Sequence, residues 1–321
     1  MRRIVIGIIL AACAMFSLPA QGQTKSNIFV ATGPTTGVYY PLGGGIADVL
    51  TKNIPGLNAT AGTTDGSMAN LLLIKQGRAD IGLSMADASF DAFKGQDKFK
   101  DKQVDVRALM VLYPNRMHIV TVEGSGINKV ADLKGKRVST GAPNSATQIM
   151  AYRVLEASGI DPEKDIIRER LDPGKSADAI KDRKLDAFFW VGGLPTPAVT
   201  DLGATPGIKL KLIDHSDALD AMVKKYGPLY VKDTIQAKTY PGQETPTQIV
   251  TVWNVLVADA KLPDQLAYDI VKTLIDRKED LIRVHAEAKN FDLKNQSNGT
   301  AVIPYHPGAK KYFAEKGVTL N

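Results

Sequence analysis

Cysteine is nearly absent from this 321-residue chain, and histidine and tryptophan are scarce, with counts of 1, 4 and 2. The one cysteine, Cys13, sits in an apolar stretch near the start. The rest of the chain therefore has no disulfide, no thiol nucleophile and no thiolate metal site. The histidines, His118, His215, His285 and His306, stand too far apart to share metal-ligand spacing. Also missing are a G-x-S-x-G nucleophile turn, an H-E-x-x-H zinc motif and a G-x-x-x-x-G-K-[ST] phosphate loop. Gly43-Gly44-Gly45 lacks the spacing of a dinucleotide site. Nothing here calls for a cofactor, a metal or catalysis. The apolar run over residues 4–18 is shorter than the roughly 20 residues of a membrane-spanning helix.

Charge is present in both signs: 40 basic against 34 acidic residues, a net +6. The densest basic stretches, Lys98-Phe99-Lys100-Asp101-Lys102 and Lys181-Asp182-Arg183-Lys184, are interleaved with acids. That pattern describes a solvated surface and no nucleic-acid partner. Arg2 and Arg3 ahead of the apolar run, then small and polar residues, have the layout of a secretory signal peptide over residues 1–22. Cleavage near Ala20 or Gly22 would export the protein to the periplasm and leave 38 bases against 34 acids. Leu10-Ala11-Ala12-Cys13 also has the form of a lipoprotein processing site, with Cys13 as the lipid-bearing residue.

The length suits two domains. Strand-like residues 27–32, 58–61 and 79–85 alternate with helix-like residues 46–53, 67–76 and 87–93. A longer β-rich run, 106–123, is interrupted at Tyr113-Pro114-Asn115. A second set follows: strands at 137–140, 166–170 and 187–191, helices at 145–158 and 176–184. Another β run spans 248–258, residues 234–247 read as a loop, and residues 263–288 are helical by apolar spacing. Repeated strand-turn-helix units predict an α/β fold of two doubly wound lobes with parallel sheets. The two long β runs would be paired crossings, giving lobe 1 residues 26–115 and 250–321 and lobe 2 residues 116–249.

In open parallel sheets, ligands bind where strands lead into helices. Five such junctions are rich in glycine and hydroxyls: 32–40, 63–67, 84–87, 140–147 and 190–195. Glycine permits close backbone approach, and helix N-termini offer unpaired N–H groups to an anion. Taken singly, Ser67, Asp87 and Ser145 read as helix caps. Together the junctions select Thr36, Gly37, Tyr39, Ser67, Ser84, Asn144, Ser145, Thr147, Trp190, Gly193 and Pro195 as candidate ligand-binding residues. Trp190 could equally fill core. Arg116 is a candidate cation, with an exposed surface role as its alternative.

Thr32-Gly33 through Gly43, Gly66-Ser67 with Asn70, Ala79-Asp80-Ile81-Gly82, Asp132-Leu133-Lys134-Gly135-Lys136, Gly193-Leu194-Pro195, Tyr240-Pro241-Gly242 and His306-Pro307-Gly308-Ala309 follow in order. This series resembles the TAXI family of solute-binding proteins that serve TRAP-type transporters. The resemblance implies a two-lobed periplasmic-binding-protein type II fold and a TRAP-type membrane permease as partner. It further implies no nucleotide site and a small carboxylated ligand such as glutamate, a dicarboxylate or a keto acid; the chain is expected to be a monomer. Asn144-Ser145-Ala146-Thr147 departs from the Gly-Ser-Gly-Thr common in relatives, which leaves the particular ligand open. The alternatives from other classes are an enzyme on the same scaffold and a ligand-presenting sensory protein.

Overall fold

The computed structural model describes residues 26–297 and 301–320. The expected signal peptide and Cys13 lie outside them. The chain opens with β1 (Ser26–Ala31), α1 (Tyr39–Asn53), β2 (Leu57–Gly62), α2 (Ser67–Lys75), β3 (Ile81–Met85) and α3 (Ala86–Lys94). The long strand β4 (Val106–Val122) leads to β5 (Arg137–Ser139), α4 (Ala146–Ala157), β6 (Ile167–Glu169), α5 (Pro173–Lys181), β7 (Ala187–Gly192) and α6 (Pro197–Ala204). Then come β8 (Leu210–Leu212), α7 (Leu219–Tyr226), β9 (Tyr230–Ile235), the second long strand β10 (Thr247–Asp259), α8 (Asp264–Asp276), α9 (Lys278–Val284) and α10 (Pro307–Glu315).

Local sequence explains the elements that matter for the site. β3 and β7 are apolar runs buried along their whole length, as strands covered on both faces must be. In α1 the buried Leu42, Ile46, Val49 and Leu50 recur at helical spacing and form one inward stripe. α4 starts at Ser145, whose hydroxyl accepts from Gln148 N–H at 3.3 Å, and α5 starts at Asp172 with Pro173 behind it. α10 starts at His306, whose Nδ1 accepts from Gly308 N–H at 3.3 Å.

The strand order is β2-β1-β3-β10-β4-β7-β5-β6, with β8 on β4 and β9 on β10. β1 pairs in parallel with β2 and β3, and β5 pairs in parallel with β6 and β7. These two parallel sets are joined by β4 and β10, which run antiparallel side by side. β10 pairs with β9 over Thr247–Val252 and with β3 over Asn254–Ala258. β4 pairs with β7 from Arg116 onward. The long strands therefore change partners near Tyr113–Arg116 and Thr251–Asn254; β4 runs through as one strand, but its ladder with β10 shifts register between Trp253 and Val255, where sequence suggested an interruption. Pro114 lies opposite Trp253, next to a register irregularity, because proline cannot donate to the ladder there.

One apolar cluster fills the space around β1, β3, β4, β10 and the inner face of β7; a second covers the other face of β7. Alternation splits β7: Ala187, Phe189 and Val191 join the first cluster, Phe188 and Trp190 the second.

Candidate functional site

Where the two parallel sets meet, a cavity of about 380 Å³, counted out to its mouth, lies at the carboxyl ends of β3 and β7. The first set contributes Pro34, Gly37, Val38, Tyr39, Asp65, Gly66, Ser67 and Met85. The second contributes Ser145, Ala146, Thr147, Trp190, Val191 and Gly192, and β4 adds Tyr113 and Asn115 at the crossing. Of the residues selected from sequence, Gly37, Tyr39, Ser67, Ser145, Thr147 and Trp190 are brought together here.

Several hydroxyls in this wall are already engaged. Ser145 Oγ donates to Ala142 O at 2.7 Å while capping α4. Tyr39 OH donates to Asn254 Oδ1, and burial pushes its pKa up, so the phenol stays protonated. Ser67 Oγ accepts from Met85 N–H at 3.0 Å and is also hydrogen-bonded to the Tyr39 hydroxyl. Thr147 Oγ1 accepts from Val191 N–H at 3.4 Å. By contrast, Tyr113 OH and Asn115 Oδ1 are buried without a partner among the described residues. The α4 N-terminus at Ala146 and Thr147 also faces the cavity with first-turn amides that helix geometry leaves free. Asp65, exposed at the rim, is the only charged side chain in the wall among the described residues.

The other residues selected from sequence stand outside the wall. Ser84 is buried and accepts from Ser89 Oγ at 2.9 Å. Asn144 is exposed in a left-handed conformation, φ 59°, that asparagine tolerates better than most residues. Its carbonyl accepts from Ala69 N–H at 3.3 Å and so ties the two sets together beside the cavity. The Thr36 carbonyl does the same with Ala198 N–H at 3.3 Å. A Cβ on Gly193 would lie 2.8 Å from Glu287 Cγ and 2.9 Å from Tyr113 Cε2, so its close approach is to protein. The Pro195 carbonyl meets His285 Nε2 at 3.3 Å.

Trp190 is both wall and core. A Cβ on Gly37 would lie 3.1 Å from its ring, and its Nε1 donates to Thr196 Oγ1 at 3.0 Å. Thr196 N–H donates to Tyr240 OH at 3.1 Å, and Tyr240 OH meets His118 Nε2 at 2.8 Å. His118 Nδ1 faces the carbonyls of Arg116 and Trp190, so Nδ1 carries the proton and Nε2 accepts from the tyrosine. Burial holds the His118 pKa down at about 4, which keeps this tautomer neutral.

Arg116, the candidate cation offered by sequence, is half-buried and committed elsewhere. It donates to Asp233 and to Glu287, each at 2.8 Å. Glu287 also accepts from Leu194 N–H at 2.7 Å. Burial pushes the Glu287 pKa up, against the pull of Arg116 and of that N–H.

Sequence reasoning missed Tyr113, Asn115, Val38, Asp65 and Met85. Tyr113-Pro114-Asn115 was legible as a break in a β run, and that break marks the crossing.

The alkanesulfonate-binding protein SsuA from Xanthomonas axonopodis pv. citri is similar in structure, with a TM-score of 0.51, 17% identity, and coverage of 90% of this chain and 83% of that one. The aliphatic sulphonate binding protein SsuA from Escherichia coli gives 0.51, 16%, 90% and 82%. An ancestral arginine-binding protein bound to arginine gives 0.50, 15%, 84% and 100%. At these identities the likeness shows the fold alone: the two-lobed type II periplasmic-binding-protein fold. Residues 30–317 match the NMT1-like family over most of the chain, and the protein belongs to that family.

Proposed function

We propose that this protein is the extracytoplasmic solute-binding subunit of an importer, holding a small carboxylated solute between two lobes. The observation that carries this reading is the cavity itself: both lobes build it, and buried Tyr113 OH and Asn115 Oδ1 in its wall have no partner among the described residues. Buried polar groups are paired in folded proteins, so such atoms suit a ligand. The N-termini of α2 and α4 supply N–H groups for a carboxylate without a side-chain cation. Asp65 offers a counter-charge to an ammonium group, which favours an amino acid such as glutamate over a dicarboxylate or keto acid. Gly37, Tyr39, Ser67, Ser145, Thr147 and Trp190 would contact it, and Thr36, Asn144, Gly193 and Pro195 would close the lobes around it. Ser84 would support α3 from below.

The lobes are residues 26–115 with 250–321, and 116–249, divided where β4 and β10 change partners. Ligand would favour the closed arrangement through contacts available only there. The ordered motifs support a TAXI-type role with a TRAP permease, periplasmic location and signal-peptide export, while the structural neighbours are binding proteins that share the fold. Protein purified natively from the periplasm and released by acid should yield a small carboxylate by mass spectrometry. A released sugar or metal complex in its place would overturn the ligand class. Uptake with the neighbouring membrane component, driven by an ion gradient and indifferent to ATP, would separate TRAP from ATP-driven transport.

A further inference from the structure

A second polar cluster joins the lobes beside the cavity without touching it. Arg153 on α4 is 4% exposed. Its Nη2 donates to Asp91 Oδ2 at 2.6 Å and to Asp97 Oδ2 at 3.2 Å. Its Nη1 donates to Tyr230 OH at 2.6 Å, and that hydroxyl donates onward to Asp87 Oδ2 at 2.8 Å. Asp87 Oδ2 also stands 3.7 Å from Arg153 Nη1. The Tyr226 ring covers the guanidinium at 4.4 Å.

The membership of the cluster is divided. Arg153, Tyr226 and Tyr230 come from lobe 2, and Asp87, Asp91 and Asp97 from lobe 1. Arg153 follows Ala146 by seven residues, two turns along the same face of α4. Asp87 and Asp91 lie four apart on α3, which begins directly after Met85. Ala146 and Met85 line the cavity. The ends of α3 and α4 nearest the cavity thus carry its wall, and their next turns carry opposite charges that meet out of water.

Apolar side chains could fill this space more cheaply, because desolvating an arginine and two carboxylates is expensive unless the geometry is good. Such a contact has a property that apolar packing lacks: it is directional and is satisfied at one spacing only. We propose that Arg153 with Asp87, Asp91, Asp97 and Tyr230 forms an interlobe clasp, in which Arg153 is a positioning residue that sets the distance between the α3 and α4 ends of the cavity. The proposal rests on the reading that the lobes close about a solute. Opening would break these directional bonds, and in the proposal they outweigh the hydration that the charges regain, so the clasp adds a preference for the closed state even before a ligand arrives.

The test is a distance measurement between spin labels at Lys52→Cys in lobe 1 and Lys164→Cys in lobe 2, both exposed, in a Cys13→Ser background. No ligand is added. The native pair should show a short-distance population that Arg153→Met shifts to longer distances and Arg153→Lys restores in part. Tyr230→Phe keeps the ring and removes only the bridging hydroxyl, so it carries the test if Arg153→Met does not fold, and it should shift the population the same way. Unchanged distances in the variants, or a native protein without the short-distance population, would overturn the clasp. A closed fraction reduced to a tenth should weaken binding of the probe L-glutamate about tenfold. If native protein ignores L-glutamate while the variants still open, the carboxylate reading fails and the clasp stands.

Discussion

Arg116 Nη1 lies 2.8 Å from Glu287 Oε1, and the same oxygen accepts from Leu194 N–H at 2.7 Å. One carboxylate thus ties the crossing strand β4, the 3-10 turn Ala286–Asn290 and the loop that follows β7. The arginine that sequence offered as a ligand cation is spent on holding the crossing.

Glu287→Ala should therefore cost about 1–3 kcal/mol, because Leu194 N–H is orphaned while the half-buried Arg116 keeps Asp233 as its partner. Urea unfolding measures it. A loss below about 1 kcal/mol, the size expected for a surface pair, would mean that the contact is incidental.

Gly43-Gly44-Gly45, which lacks dinucleotide-site spacing, divides by packing. A Cβ at Gly43 would lie 2.4 Å from Thr32 Cγ2, one at Gly45 2.9 Å from Val284 Cγ2, and one at Gly44 would meet nothing within 4 Å. Gly44→Ala should raise stability by about 0.5–1 kcal/mol, as expected in an exposed helix interior, while Gly43→Ala should lower it. Thermal melts of the two variants read opposite signs if the packing is right.

A Cβ on Gly192 would sit 2.2 Å from Trp190 Nε1 and 2.8 Å from Thr196 Oγ1. Gly192→Ala should displace the indole, break its bond to Thr196 and change the intrinsic fluorescence of the protein. Because Trp190 forms part of the cavity wall, ligand should alter its emission, and Trp190→Phe should abolish that response while Trp253→Phe preserves it.

His118 and His215 are both fully buried, and burial lowers each pKa from 6.5 to about 4. His215 Nδ1 faces Ile213 O, and its Nε2 accepts from Val250 N–H, an arrangement that protonation would break. With the folded value below the unfolded one, the unfolded chain binds the proton first. Each ring therefore removes about 3 kcal/mol of stability as pH falls from 6.5 toward 4. Asp91, pushed up to about 6 by burial, acts in the opposite direction over part of that range. The rings are therefore best read singly: two-dimensional proton–nitrogen spectra should show both neutral at pH 5. A protonated His215 at that pH would contradict its placement.

Much of the fold was legible because its central strands are extreme. β7 is an uninterrupted apolar run and β3 is broken only by Ser84, as suits strands covered on both faces, and the stripe in α1 faces one partner layer. β9 was not legible: only Tyr230 and Ile235 of its six residues are buried, and it is a strand because β10 offers it an edge. α6 and α7 are eight residues each, too short for periodicity to speak, and their packing decides them. Residues from all five glycine–hydroxyl junctions line one cavity, but the sequence could not orient individual side chains. Ser84 and Ser67 look alike in sequence, yet one turns under α3 and the other reaches the cavity. Asn70 shows what a motif residue does out of sight: its buried amide donates to Thr32 O and Leu83 O at 2.7 Å each, pinning the ends of β1 and β3.

The most direct test of a carboxylate-binding cleft is a thermal-shift screen of refolded, ligand-stripped protein against amino acids, dicarboxylates, keto acids, sugars and aromatic acids. A ligand at a hundred times its Kd adds about 2.7 kcal/mol of stability, several degrees of melting temperature. The account predicts that shift for carboxylates, amino acids foremost, and none for sugars. A response confined to sugars would contradict it.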